Sequence, residues 1–422
     1  MAKERPWCLV LSGGGAKGVY HIGAWRALRE LGVEVDAFVG NSIGALVAPF
    51  MALGLSDELE AIAKGIGIDF VLKVPPELVK DGELSVGIEN LAKLRELARD
   101  FVKKGGLDTA PLRALLERSI DEARLRASGK DLGIVTVSLT ELQPRELFLE
   151  AMEEGHLVDY LMASAAVPGF VAPVIKGRKY VDGGVHDNLP YAVALRRGYR
   201  RIIVVDISGL GLNRRPRVEG TETVYIKNSI EMGGILDFDR EFLERFTELG
   251  YLDAKRAFGR LDGYAYFLEP DARAEKAFRT RLERLDAPVA RELLAPSSAI
   301  WPERMRHDRR LLLKSLECAA TALGVERVKS WTYAELEAEI RRRKALEDAR
   351  LEAIAEKAKI SLLEAGVEAA KAARLDECPY WYASLVAAFP KSRPGAMVRR
   401  ALVSLTPELK AALAFLELPA AV

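Results

Sequence analysis

Hydrophobic residues in the first 50 positions form short runs that alternate with helix-like patterns. The run Trp7–Ser12 is typical of a buried strand, and the apolar spacing over Val19–Leu31 predicts a helix that ends at Gly32. A second short strand, Ala37–Gly40, precedes a second predicted helix, Ile43–Leu53. Strands that alternate with helices are typical of parallel sheets with helical crossovers, so the pattern predicts an α/β fold.

The pattern after residue 54 is less regular but still predicts both kinds of element. Predicted helices cover Gly87–Lys104, Pro111–Ala127 and Val158–Ala166. Predicted strands are Ile134–Leu139, with Glu146–Leu149 beside it, and Arg201–Ile207, which is the last strong core strand.

The composition changes at about residue 270, where Ala, Glu, Arg and Leu dominate and Gly becomes scarce. Thr332 and Glu335 match a capping box, which predicts the start of one long helix or of two helices that meet at Gly366. We therefore divide the chain into a domain of residues 1–268 and a mainly α-helical region of residues 269–422. That region either packs against the first domain, forms a homo-oligomer or binds a partner; the first role is the simplest.

Composition narrows the class of protein. The 422 residues carry a formal net charge of +1, so no global field favours nucleic acid, and we expect no nucleic-acid partner. The odd number and wide spacing of the cysteines, Cys8, Cys318 and Cys378, argue against a disulfide framework, and no spacing of Cys and His predicts a metal site. No apolar run is long enough for a signal peptide or a transmembrane helix. We expect a cytoplasmic protein, with peripheral membrane contact and unconventional export left open.

The sharpest local motif is Gly40-Asn41-Ser42-Ile43-Gly44, which matches the G-x-S-x-G nucleophile elbow between a strand and a helix. Side chains two positions before and after the serine would collide with the neighbouring strand and helix, so glycine is needed there. Ser42 would stand at a helix N-terminus, where free N–H groups stabilise negative charge. The alternative is a glycine-rich turn with a capping serine.

A second motif is the loop Gly13-Gly14-Gly15-Ala16-Lys17-Gly18. Consecutive glycines let several backbone N–H groups point at one oxyanion. The loop also fits the G-x-G-x-x-G dinucleotide motif, which requires an acidic residue at the end of the second strand; that strand ends instead in Gly40-Asn41-Ser42. Lys17 is followed by glycine, which excludes a P-loop. We favour an oxyanion hole and expect no cofactor.

The third motif places Asp182 before two glycines, after an extended segment. The alternative is a simple Asp-Gly turn. A Ser-His-Asp triad needs a histidine on a loop at the strand ends. His21 and His156 belong to predicted helices and His307 to the C-terminal region, which leaves His186 as the candidate base. A direct Ser–Asp pair is the other arrangement, and we favour it.

In this order, the three motifs resemble the patatin-like phospholipase family. The segments Ala163–Gly169 and Asp187–Pro190 resemble those on either side of the family's Asp-Gly-Gly motif. The runs Gly234–Phe238 and Gly250–Ala254 resemble bacterial members, so that the similarity covers about residues 7–265.

The resemblance implies a three-layer α/β/α fold with a mainly parallel central sheet. It also implies hydrolysis of phospholipid or other acyl-lipid esters by a Ser42–Asp182 dyad, without a metal. The backbone N–H groups of the implied oxyanion hole come from Gly13, Gly14, Gly15 and Ile43. Lys17 and Asn41 depart from the family, which often has arginine and threonine there, and leave the substrate preference open.

Several alternatives remain open at this stage. A thioesterase or acyltransferase would keep the same dyad, and a partner-activated or non-catalytic lipid-binding scaffold would keep the same fold. The apolar run Ile66–Pro76, with Phe70, Val71, Leu72 and Val74, forms either a lid or acyl-chain channel, or ordinary core. Two arginine clusters bind phospholipid headgroups or are simply solvated: Arg196, Arg197 and Arg200, and Arg214, Arg215 and Arg217.

Overall fold

The computed structural model describes residues 6–80, 82–84, 91–209, 219–231, 233–234, 236–295, 301–358 and 407–418. The chain divides into two compact units, Met1–Phe258 and Gly259–Val422. The boundary between the units follows Phe258, earlier in the chain than the boundary expected from composition at residue 268. The strand Phe267–Leu268 belongs to the second unit because it pairs with Ser330–Trp331 there. None of the helices that the structure describes is long and apolar enough to span a bilayer.

The strands of the described residues are β1 (Trp7–Leu11), β2 (Val35–Asn41), β3 (Val79–Lys80), β4 (Glu83–Leu84), β5 (Asp131–Ser138), β6 (Gln143–Phe148), β7 (Val174–Ile175), β8 (Arg178–Asp182), β9 (Arg201–Asp206), β10 (Glu222–Lys227), β11 (Phe267–Leu268) and β12 (Ser330–Trp331).

The α-helices of the described residues are α1 (Val19–Glu30), α2 (Ile43–Leu53), α3 (Ser56–Gly65), α4 (Ile68–Val71), α5 (Leu91–Lys104), α6 (Ala110–Ser119), α7 (Glu122–Ala127), α8 (Leu157–Ser164), α9 (Tyr191–Arg196), α10 (Arg240–Ala257), α11 (Ala272–Arg284), α12 (Pro288–Leu294), α13 (Leu311–Ala322), α14 (Tyr333–Ala358) and α15 (Pro407–Leu416).

The first unit is built on an eight-stranded sheet in the order β10-β9-β1-β2-β5-β8-β7, with β6 also paired to β5. The strands from β10 to β5 are parallel to one another, whereas β6, β7 and β8 join by antiparallel pairing. Every residue of β1 is buried, as expected for a parallel strand with helices on both faces. The mainly parallel sheet and the three-layer α/β/α fold are thus confirmed.

The two faces of the sheet carry different helices. Cys8 and Val10 of β1 face a cluster that includes Tyr191 and Val193 of α9. On the opposite face, the ring of Trp25 in α1 packs edge-on against Phe38 of β2, with ring centroids 5.7 Å apart. Helix α10 packs along α1 on this second face.

The strand register brings two distant motifs together at one point of the sheet. Asn41, the last residue of β2, pairs with Val135 of β5, and the next residue of β5, Thr136, pairs with Asp182 at the end of β8. Because β6 occupies the other edge of β5, β2 and β8 share one edge and approach each other from opposite directions. Their carboxyl ends therefore meet, and Ser42 follows directly after that meeting point.

Most predicted elements of the first unit are found, but the single helix predicted over Pro111–Ala127 is wrong. Ile120 is extended between α6 and α7, and the Asp121 carboxylate accepts a hydrogen bond from the Arg124 amide to cap the second helix. The extended Ile120 and the capped start of α7 therefore divide this segment into two helices.

The second unit is mainly α-helical. Its core surrounds α13, in which nearly every residue is buried, and includes Trp301 and Phe415. The predicted capping box is confirmed, because the Thr332 amide donates to Glu335 and the Glu335 amide donates to Thr332 Oγ1. The predicted helix break at Gly366 and Cys378 lie outside the described residues.

Candidate active site

Ser42 lies on a sharp turn between β2 and α2, with φ 53° and ψ −128°. A positive φ is costly for a residue with a side chain and is typical of functional turns. A Cβ at Gly40 would lie 2.4 Å from the backbone of Gly44, and a Cβ at Gly44 would lie 2.4 Å from the Leu11 carbonyl oxygen. Glycine is therefore required on both sides of the serine, as the strand–turn–helix motif predicts.

The backbone of Ser42 is held by a residue to which the sequence assigns no role. The Ser42 amide donates to Ser164 Oγ at 3.1 Å, and the Ser164 hydroxyl donates to the Val135 carbonyl at 2.7 Å. Ser164 stands at the end of α8 and is completely buried. This bridge fixes the serine turn to β5 and occupies the N–H of Ser42 itself. A polar residue in an otherwise apolar helix end is the signal that could have marked it.

Asp182 is buried beside this turn, at the end of β8. Its Oδ1 accepts hydrogen bonds from the Gly184 amide at 2.7 Å and from the Asn41 side-chain amide at 3.3 Å. Its Oδ2 is buried and has no hydrogen-bond partner among the described residues, and the nearby Ser42 hydroxyl favours the ionised carboxylate. Catalytic pairs often tighten only when substrate binds.

Burial is the main influence on the charge of Asp182. Loss of water around the carboxylate raises the pKa of Asp182 above the usual value for aspartate. The Ser42 hydroxyl, the Gly184 amide and the Asn41 side chain act against burial and lower the pKa of this carboxyl. The result is a carboxylate of increased basicity next to a serine hydroxyl.

The glycine loop after β1 offers fewer backbone donors than the sequence suggests. The Gly13 amide donates to the Asn188 carbonyl at 3.1 Å, which removes Gly13 from the expected set of oxyanion donors. Among the described residues, the amides of Gly14, Gly15 and Ile43 have no acceptor. Gly15 has φ 61°, a left-handed conformation that favours glycine.

Asn188 connects the glycine loop to the aspartate. Its side-chain amide donates to the Gly13 carbonyl at 3.3 Å, and its side-chain oxygen accepts from Asn41 at 3.2 Å. Asn41 in turn donates to Asp182. A continuous polar network thus joins β1, β2 and β8 at the carboxyl end of the sheet, although the sequence marked Asn188 only as part of a family-like segment.

Ser42, Asp182 and the remaining donors face one cavity of about 640 Å³, which is a typical size for a ligand site. Within the described residues, the polar side chains that line it are those of Ser42, Asp182 and Asn188. All other lining residues are apolar or glycine, and twelve of them come from α1, α2, α3 and α6. Such a cavity can hold an extended apolar ligand with one reactive polar group.

Ile66 and Val71 of the apolar run at Ile66–Pro76 line this cavity, whereas Leu72 is buried and Phe70 is 36% exposed. The run therefore contributes both to the cavity wall and to ordinary core.

The described histidines do not belong to the cavity lining. His21 is fully buried, its Nε2 contacts the Ser12 carbonyl at 2.9 Å, and burial lowers the pKa of His21 to about 4. His186 follows the short turn after Asp182 and is not among the lining residues. The cavity thus brings Ser42 together with an aspartate and not with a histidine.

The first arginine cluster lies at the opposite end of the sheet. Arg197 pairs with Asp131, the first residue of β5, whereas the candidate site lies beyond the carboxyl end of β2. Arg196 pairs with Glu146, and Arg200 donates to two backbone carbonyls. These contacts favour a structural role for the cluster. The second cluster, Arg214, Arg215 and Arg217, lies outside the described residues.

The part of the chain that contains the candidate site is similar to known proteins. Residues 9–195 match the family model described as patatin-like phospholipase. This segment belongs to the patatin-like phospholipase family. The match contains the glycine loop, the serine turn and the aspartate of the candidate site, and ends within α9.

An uncharacterized NTE family protein of Mycobacterium tuberculosis is 28% identical to this chain over 202 residues, which are 48% of this chain and 49% of that protein. Lysophospholipase NTE1 of Mycosarcoma maydis is 28% identical over 214 residues, which are 50% of this chain and 10% of that protein. The chain spans about half, or less, of the length of these relatives. The crystal structure of VipD from Legionella pneumophila aligns with a TM-score of 0.39 at 15% identity, over 97% of this chain and 91% of that one.

Proposed function

We propose that the protein is a serine-dependent lipid acyl hydrolase in which Ser42 is the nucleophile and Asp182 its base. The observation that carries this proposal is the strained Ser42 turn, which faces an apolar cavity together with a buried aspartate of raised pKa. Membership of the patatin-like family supports the reaction class. The name of the lysophospholipase relative supports a phospholipid or lysophospholipid as substrate.

In the proposed reaction, Asp182 accepts the Ser42 proton while Ser42 Oγ attacks the ester carbonyl carbon. The oxyanion of the tetrahedral intermediate is stabilised by the amides of Gly14, Gly15 and Ile43. The intermediate then collapses, and Asp182 returns the proton to the leaving alcohol. Water attacks the resulting acyl-enzyme, with Asp182 again as base, and releases the fatty acid while Ser42 regains its proton.

The first test is labelling of the purified protein with a fluorophosphonate probe, beside a Ser42→Ala variant and an Asp182→Asn variant. We expect labelling of the wild type, none of Ser42→Ala, and labelling and esterase rates lower by about a hundred-fold or more in Asp182→Asn, because a positioned base typically contributes that much. Ser128→Ala, at an exposed serine in the same unit, is the matched control and should label like the wild type.

Normal hydrolysis by Asp182→Asn would contradict the dyad. Absence of label from the wild type, in the presence of acyl-lipid vesicles as well as in buffer, would contradict an activated serine.

A further inference from the structure

Helix α2 forms one wall of the cavity over most of its length. It begins directly after Ser42, and its cavity-lining residues are Ile43, Leu46, Val47 and Phe50. Spacings of three and four residues place these side chains on one face of the helix. The next position of this face, Leu53, does not line the cavity within the described residues. The cavity therefore follows α2 from the serine as far as Phe50.

The two ends of the cavity differ in exposure. Phe101, Val185 and Leu236 line it and are 41%, 45% and 42% exposed, so the opening lies on their side. Phe50 is only 3% exposed, and the cavity lining also includes aliphatic residues of α3 and α6, among them Leu59 and Leu115. Phe50 is also the one aromatic residue that α2, α3 and α6 contain. It is thus the bulkiest of the lining residues that these three helices contribute.

The helix supplies a length scale for a bound chain. Phe50 follows Ser42 by eight residues, which at about 1.5 Å per residue corresponds to roughly 12 Å along the helix axis. An extended chain of single bonds advances roughly 1.2 Å per bond, because an extended backbone covers about 3.6 Å in three bonds. An acyl chain attached to Ser42 and lying along α2 therefore reaches Phe50 after about ten carbons.

We propose that Phe50 closes the buried end of the cavity and limits the acyl chain that fits along α2 to about ten carbons. This inference rests on the proposed acyl hydrolase function and names its substrate class as medium-chain acyl esters. The volume of about 640 Å³ exceeds that of a single chain of this length, so the limit is set by the distance to Phe50 and not by the volume.

The test compares the wild type with Phe50→Leu and Phe50→Trp on a series of p-nitrophenyl esters with 4 to 16 acyl carbons. Leucine is shorter than phenylalanine and should admit about two more carbons, whereas tryptophan should exclude some. Each buried methylene changes affinity roughly four-fold, so the ratio of kcat/KM for dodecanoyl to that for decanoyl ester should rise about fifteen-fold in Phe50→Leu. Phe38→Leu is the matched control, because Phe38 is equally buried but does not line the cavity.

A second measurement reads the cavity without hydrolysis. In the Ser42→Ala background, calorimetric affinity for saturated fatty acids should rise with chain length, level off near ten carbons, and level off near twelve carbons after Phe50→Leu. An optimum or plateau that both Phe50 variants leave unchanged, or that Phe38→Leu moves equally, would overturn the inference. If the plateau moves as expected but the protein with Ser42 intact hydrolyses none of the esters, the role of Phe50 is supported and the proposed function is contradicted.

Discussion

At the scale of single residues, the proposed role of Asp182 as base predicts how the reaction depends on pH. The base must be ionised to accept the serine proton, so kcat/KM should rise with pH through the pKa of Asp182. Burial raises this pKa above that of an ordinary aspartate, which places the acid limb of the profile at higher pH. The pH dependence of the residual kcat/KM of Asp182→Asn should lack this acid limb.

Asn41 provides a test of that assignment. Its side-chain amide donates to Asp182 and lowers the pKa of the carboxyl. Replacement by alanine removes a hydrogen bond that favours the ionised form, so Asn41→Ala should move the acid limb of kcat/KM to still higher pH. Asn228→Ala is the control, because the Asn228 side chain contacts Ser208 and Ile230 outside the site. An acid limb at the same pH in Asn41→Ala and wild type would argue against Asp182 as the base.

Residue-level prediction from the sequence succeeds where the chemistry is local. The need for glycine at positions 40 and 44 follows from the G-x-S-x-G motif alone, and the structure shows the two close approaches that enforce it. The contacts of Ser164 with Ser42 and of Gly13 with Asn188 join residues far apart in the chain. Such contacts depend on strand order and register, which no local pattern encodes.

At the scale of elements, the crossing of α1 and α10 depends on two glycines. A Cβ at Gly23 would lie 1.8 Å from the Thr247 carbonyl oxygen, and a Cβ at Gly250 would lie 2.2 Å from the Tyr20 carbonyl oxygen. The two helix backbones are therefore in direct contact. Since α1 also contributes Val19 and Ile22 to the cavity, this crossing supports the wall of the candidate site.

Gly23→Ala should destabilise the first unit, because the added methyl group forces α1 and α10 apart and overpacking of this kind costs about 1–3 kcal/mol. Chemical denaturation monitored by hydrogen exchange of peptides from α1 and α10 would measure the loss. Gly65→Ala serves as control, since Gly65 ends α3 with open space around it and should tolerate the methyl group without loss. An equal free energy of unfolding for Gly23→Ala and Gly65→Ala would show that α1 and α10 can move apart without loss of stability.

The elements that the sequence predicts well are those with strong local signals. Helix α2 has the predicted bounds, because a strand, a glycine-flanked serine and an apolar run specify its start. Strand β10 was not predicted: it lies at the edge of the sheet, and among its residues only Ile226 is buried. Helix α10 is likewise absent from the predicted elements, where its segment has only a family resemblance. An edge strand gains its pairing from β9 and not from its own hydrophobicity.

At the scale of the whole molecule, the family match and the folding unit have different limits. The match ends at residue 195, before β9 begins, yet β9 lies between β1 and β10 in the sheet. Helix α10, which packs on α1, follows later still. In the part of the chain that the structure describes, the residues that line the cavity all lie within Met1–Phe258. The first unit therefore contains the elements that support the site, whereas the matched segment lacks β9 and α10.

We accordingly expect a truncated protein of residues 1–258 to fold and to react with the fluorophosphonate probe at Ser42. A shorter protein of residues 1–195 should not fold, because it lacks β9 and leaves the hydrogen-bonding edge of β1 and one face of α1 exposed. Circular dichroism and labelling of both proteins beside the full chain would decide. If the 1–258 protein folds but is not labelled while the full chain is, residues 259–422 contribute to reactivity. If the 1–195 protein is labelled, β9 is dispensable for the serine turn.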